Sequence, residues 1–150
     1  MRRSAAFVLG ITSMCASLAF AQGAQVDRAI KYRQGIMTAQ AWNAGIMGAM
    51  VKGDRPYDKD EFLRRAMNLD QLVKWPWEGY IPGSDQSPST RAKPEIWKDQ
   101  AKFTQYGDKL QAETAKLVAA AKTGDLNQIK PAFGEVGKVC SACHDDFRKN

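Results

Sequence analysis

With 150 residues, 44% of them hydrophobic and 25% charged, the chain is one globular domain's worth, and not a disordered tail or a multi-span membrane protein. Its 22 basic and 16 acidic residues leave +6, interspersed without the Lys/Arg runs that track nucleic acid. A single histidine excludes sites built on two imidazoles, and any Ser-His-Asp or Cys-His catalyst must use His144.

Met1-Arg2-Arg3, an apolar run from Ser4 to Phe20 and the small-x-small step Ala19-Phe20-Ala21 predict a secretory signal peptide over residues 1–21. The run is short for a membrane span. Cys15 lies inside it, and Met14 before it is too large for a lipoprotein site. Cleavage leaves residues 22–150 with two cysteines, Cys140 and Cys143, in an oxidising exported compartment, the periplasm.

The first predicted helix runs from about Val26 to Lys52. Ile30, Met37, Ala41, Ala44, Gly48 and Val51 recur at helical spacing on one face. Gly53-Asp54-Arg55-Pro56 stops it. The second runs from about Asp58 to Lys74, with a stripe of Phe62, Ala66, Leu69 and Val73. Asp58 is its N-cap and Glu61 the capping-box partner. A long connection, Trp75 to Lys93, carries three prolines and two glycines, and loops of that length commonly cover something. Trp75 and Trp77 either pack on a cofactor edge or form a satellite cluster under the loop.

The third helix opens at Pro94 and runs to Thr123-Gly124, with Ile96, Phe103, Leu110 and Leu117 spaced by sevens. The fourth runs from about Asp125 to Arg148. Its stripe is Ile129, Phe133, Val136, Cys140, Cys143 and Phe147, with Pro131 in the first turns. No alternating strand pattern appears. The chain is therefore expected to be all-α, an antiparallel four-helix bundle.

Cys140-Ser141-Ala142-Cys143-His144 is the C-x-x-C-H attachment sequence of c-type haem. On a helix these three side chains lie within one turn, so two thiols can meet the two vinyl groups of one haem edge while the imidazole reaches the iron. A thioredoxin-like pair needs a βαβ context, and a structural zinc needs a fourth ligand. A plain disulfide leaves His144 without a role.

Such a motif near the C-terminus, after four helices, resembles the cytochrome c′ family, the class II c-type cytochromes. Lys31-Tyr32-Arg33-Gln34, Lys52-Gly53 with Pro56-Tyr57-Asp58, and Lys93-Pro94-Glu95-Ile96-Trp97 are similar to it as well. The resemblance implies one covalent haem c on Cys140 and Cys143, with His144 as axial ligand. It implies that Arg148 is the basic residue beside that histidine. Arg33 and Gln34 resemble the family's haem-propionate neighbours, and Arg91 and Glu95 are further candidates.

The same alignment sets Met37 opposite His144. In the family this place either crowds an open, high-spin iron that takes small gases, or supplies a methionine ligand to a low-spin iron. Thioether sulfur is an accepted haem ligand, and methionine is also a flexible filler of apolar gaps. The expected functions are electron transfer with redox partner proteins, or binding of a diatomic gas such as NO or CO. Enzymatic catalysis is not expected, because no second histidine can serve as a distal acid–base. Small residues on the first helix, and the family's habit, suggest a homodimer through the first two helices.

Overall fold

The computed structural model describes the backbone of residues 5–149 and the side chains of residues 22–149. Its elements are α1 (Ala5–Lys52), α2 (Lys59–Leu72), a 3-10 turn (Pro76–Gly79), α3 (Glu95–Lys98), α4 (Gln100–Thr123) and α5 (Leu126–Phe147). Among the described residues there is no strand, only an isolated antiparallel bridge between Ala92 and Arg148. The chain is an all-α four-helix bundle of α1, α2, α4 and α5.

The helices begin and end where side chains can satisfy their terminal backbone groups. Asp58 accepts from the Glu61 amide at 2.9 Å, and Asp125 accepts from the Asn127 amide at 2.9 Å. Gly124 closes α4 at φ 76°, a conformation that suits glycine. The Asp58 capping box is only half formed. The Glu61 carboxylate turns to Arg55 and Arg65 instead of back to the cap.

Two expectations differ from the structure. The first helix starts at Ala5 and not near Val26, because the Ala-rich segment preceding Val26 contains no proline to stop it. The signal-peptide reading concerns residues 1–21, whose side chains lie outside the described residues. The third predicted helix is two. At Asp99 (φ −128°, ψ 63°) the chain leaves α3, and the Asp99 carboxylate caps α4 through the Lys102 amide at 3.1 Å. Pro131 falls in the second turn of α5, within the first turns as expected, and the helix continues through it.

Two apolar clusters build the interior. The larger joins all four long helices through Met47, Met50, Phe62, Leu69, Leu117, Ile129 and Val136. The smaller gathers Ala92, Ile96, Phe103 and Phe147, with Trp77, Tyr80 and Trp97 packed against it. Aromatic edges knit the smaller one: Phe103 stands 4.9 Å from Tyr80 and 5.3 Å from Phe147, both T-shaped. Close helix contact runs α1–α2, α2–α4 and α4–α5, whereas α1 and α5 touch sparingly. The bundle is therefore parted on one side, between α1 and α5.

Gly79 marks where the 3-10 turn presses on α1. A Cβ there would sit 3.0 Å from the Ala29 carbonyl oxygen, 3.0 Å from Arg33 Cβ and 3.2 Å from Tyr32 Cδ1. Gly79→Ala is expected to destabilise the fold by about 1–3 kcal/mol, the usual range for overpacking. Thermal unfolding checks it, and a change below about 0.5 kcal/mol, the level of a neutral surface substitution, would refute the close approach.

Candidate functional site

The parting between α1 and α5 is a slot of about 870 Å³ that reaches between the two apolar clusters. That volume lies within the range of small-molecule and cofactor sites. From α1 it is lined by Arg33, Gln34, Met37, Thr38, Gln40, Ala41 and Ala44. From α5 come Val136, Cys140, Cys143, His144 and Phe147, with Arg148 just beyond the helix. Leu69, Val73, Phe103, Tyr106 and Leu110 form the back, and Trp77, Tyr80, Arg91 and Ala92 of the connection close one end. Most of this surface is apolar, with several polar side chains set into it.

The first-helix stripe explains itself here. Ile30 is fully buried and packs in the fold, but Met37 and Ala44 are half-buried and Ala41 is exposed, because they face the slot. The buried methionines of α1 are Met47 and Met50, which belong to the larger core cluster.

Cys140 and Cys143 are free thiols on consecutive turns of α5. Cys140 packs on the larger cluster and Cys143 on the smaller, so the pair bridges the two where the slot divides them. Burial pushes both thiols up, Cys143 to about 11 with help from neighbouring Cys140 and Asp146. Redox-active C-x-x-C pairs carry a lowered thiol pKa. These two are the opposite, which argues against dithiol exchange.

His144 lines the slot one position on. The residue is exposed as a whole, but partial desolvation at the slot lowers its pKa first and the Arg91 guanidinium lowers it further, while Asp145 opposes both. The imidazole therefore favours its neutral, metal-ligating form. The cation acting on it is Arg91, from the connection. Arg148 has left the helix by then (φ −121°, ψ 132°), so the shared-helix-face argument for it does not apply. It still lines the slot, and its amide donates to the His144 carbonyl at 3.0 Å.

The motif is held from two sides. Tyr106 of α4 donates to Asp146 at 2.7 Å, and Lys102 pairs with the same carboxylate at 2.9 Å. On the other side the chain after α5 is laced to the connection. The Lys93 amide donates to the Phe147 carbonyl at 2.9 Å, and the Lys149 amide to the Arg91 carbonyl at 2.7 Å.

The remaining predicted residues divide. Gln34 lines the slot and donates to the Ser89 carbonyl at 2.7 Å. Arg33 lines it too, but both of its terminal nitrogens are committed to the connection. Glu95 is not among the lining residues: it is exposed in the first turn of α3, beside Lys98 at 3.4 Å. Trp77 is at the slot, its indole N–H donating to the Val73 carbonyl at 2.7 Å, whereas Trp75 is half exposed outside it. Tyr80, Thr90 and Tyr106 also line the slot, although neither the C-x-x-C-H motif nor the family resemblance points to them. Tyr106 falls between Phe103 and Leu110 on the apolar face of the third predicted helix. Tyr80 is placed by long-range packing and carries no local signal.

The slot fits a planar apolar cofactor with polar edges. It presents two thiols and a neutral imidazole on one wall, in the order that covalent haem requires. Fold and site together define a c-type haem protein built on a four-helix bundle. The comparisons agree. A family model described as Cytochrome C' matches residues 28–148. Cytochrome c' of Alcaligenes xylosoxydans xylosoxydans is 41% identical over 128 residues, covering 85% of this chain and 98% of the relative. The solved structure of cytochrome c prime from Shewanella frigidimarina superposes with a TM-score of 0.81 at 44% identity, over 83% of this chain and 97% of that one. A nitric oxide complex of a mutant cytochrome c prime from Alcaligenes xylosoxidans superposes at a TM-score of 0.77 with 41% identity, over 83% of this chain and 96% of that one. The chain belongs to the cytochrome c′ family, whose members carry covalently attached haem c.

Proposed function

We propose that the protein is a periplasmic electron carrier working through one haem c, with Cys140 and Cys143 as thioether anchors and His144 as axial ligand. The observation that carries this reading is the slot itself, with the C-x-x-C-H wall on α5 and Met37 on the α1 wall. When bound, the haem supplies a one-electron couple, and a methionine ligand raises its potential. The chain's residues do the rest. Partial desolvation and Arg91 favour the neutral form of His144, and the Tyr106–Asp146 bond and the tail bridge hold α5 in place. The apolar lining excludes water, and Gln34, Arg91 and Arg148 offer polar partners for carboxylates at the edge.

A second reading is gas binding, with Met37 crowding an open iron face. The apolar surround of Ala41, Ala44, Leu69 and Val73 favours it, as does the relative solved as a nitric oxide complex. Export rests on the signal-peptide pattern of residues 1–21. Among the described residues no helix is long and apolar enough to cross a membrane. Trp42 (66% exposed) and Met67 (51%) place large apolar groups on the outside of α1 and α2, which supports a homodimer through these helices.

The test is the visible spectrum of the matured protein, oxidised and reduced, with and without CO, beside His144→Ala. Sharp low-spin bands without CO binding support electron transfer through Met37. A high-spin spectrum with ready CO binding supports the gas reading. His144→Ala is expected to lose the native spectrum, and a variant with unchanged bands would remove the axial assignment.

A further inference from the structure

Arg33 is the most buried cation of the described chain, only 2% exposed, and no carboxylate pairs with it. Burying such a charge is costly unless hydrogen bonds replace its water. Here four do. One terminal nitrogen donates to the Gly79 carbonyl at 2.8 Å and to Ser84 Oγ at 2.7 Å. The other donates to the Ser84 carbonyl at 2.8 Å and to Thr90 Oγ1 at 2.7 Å. The guanidinium also lies over the Tyr80 ring, 4.5 Å from its centre. One side chain thus gathers three points of a connection that has no regular structure of its own between Tyr80 and Thr90.

Both ends of this clamp lead to the slot. Thr90 Oγ1 also accepts from the Ala92 amide at 3.1 Å, and Ala92 forms the bridge to Arg148, four residues past His144. On α1, Met37 lies one turn beyond Arg33, on the same face. The α1 wall and the far side of the slot are therefore tied through one planar fork.

We propose that Arg33 is a positioning residue: it fixes the distance between the α1 wall carrying Met37 and the connection that holds the end of α5, and so sets how open the iron's distal face is. The proposal rests on the reading that Met37 faces the iron. It commits the two terminal nitrogens of Arg33 to the loop oxygens and leaves carboxylates at the slot to Gln34, Arg91, Arg148 and the remaining Nε–H of Arg33. Lysine cannot substitute, because a single ammonium does not span four oxygens set around a plane.

The test combines limited proteolysis of the 80–90 segment with CO binding to the reduced holoprotein, read as the association rate by flash photolysis if Met37 leaves the iron open, and as CO binding gained by the variants if Met37 ligates it. The variants are Arg33→Lys, Arg33→Gln, the milder Thr90→Val, and Met37→Ala. Both Arg33 variants are expected to bind CO about tenfold faster, the equivalent of losing one charge-assisted hydrogen bond, and to be cut sooner. Thr90→Val is expected to shift the rate in the same direction by less. Three results overturn the clamp: Lys behaving as wild type while Gln does not, which makes Arg33 a charge partner of the haem carboxylates; faster cleavage with an unmoved CO rate, which makes it structural only; or Thr90→Val without effect. If Met37→Ala itself leaves the CO rate unmoved, the distal place of Met37 falls and takes this proposal with it. A normal Met37→Ala response beside unmoved Arg33 variants removes the clamp alone.

Discussion

The Cys140→Ala, Cys143→Ala double variant is expected to run on a denaturing gel with no haem stain, where the wild type retains its full stain. It is also expected to unfold at least about 3 kcal/mol more easily. The first effect follows from the sequence, because these are the only two cysteines after residue 21 and no other side chain forms the thioether. The second follows from the slot. At roughly 24 cal/mol per Å³, a dry void of 870 Å³ would cost about 20 kcal/mol, more than the whole stability of a typical domain. A chain of this shape needs its cofactor, a collapse of α1 toward α5, or admitted water. Free haem held at 100 to 1,000 times its Kd contributes only about 3–4 kcal/mol, and it can leave. A covalent one cannot. Thermal melting of purified variant and wild type reads the difference. A double variant that still comigrates with haem, or melts like the wild type, would sink the attachment.

Much of this was legible in residue spacing, and the limits have physical causes. Helix existence came from apolar periodicity and from the punctuation at Gly53, Pro76 and Gly124, all of them local signals. The break at Asp99 was hidden because Ile96 and Phe103 stay in phase across it, so the stripe continues while the backbone does not. The motif Cys140 to His144 needed no tertiary information. Its partners did. Arg91 acts on His144 from 53 positions earlier in the chain, through a bridge that no periodicity announces. An apolar stripe also does not say what it faces. Met37, Ala41 and Ala44 lie on the predicted apolar stripe and line a slot, whereas Met47 and Met50 lie off that stripe and are core. The difference is the sparse contact between α1 and α5, which belongs to the bundle and to neither helix alone.

Met37→Ala is expected to produce the largest change in function of any single substitution on the α1 wall. If the sulfur binds the iron, removing it turns a low-spin spectrum high-spin, abolishes the red methionine-to-iron band and lowers the reduction potential, since thioether ligation raises it. If the sulfur only crowds the iron, the spectrum stays high-spin and CO association rises, because four heavy atoms of side chain become one. Neighbouring residues do not mask either effect. Ala41 and Ala44 end at Cβ and cannot reach across the slot, and Gln40 is held away by its bond to the Leu72 carbonyl at 2.9 Å. Leucine at the same place separates the two cases further. It restores bulk without sulfur, so Met37→Leu would rescue a crowding role and leave a ligand role unrescued. A Met37→Ala protein matching the wild type in spectrum, potential and CO kinetics would take Met37 off the distal face, and with it both readings of how this haem is used.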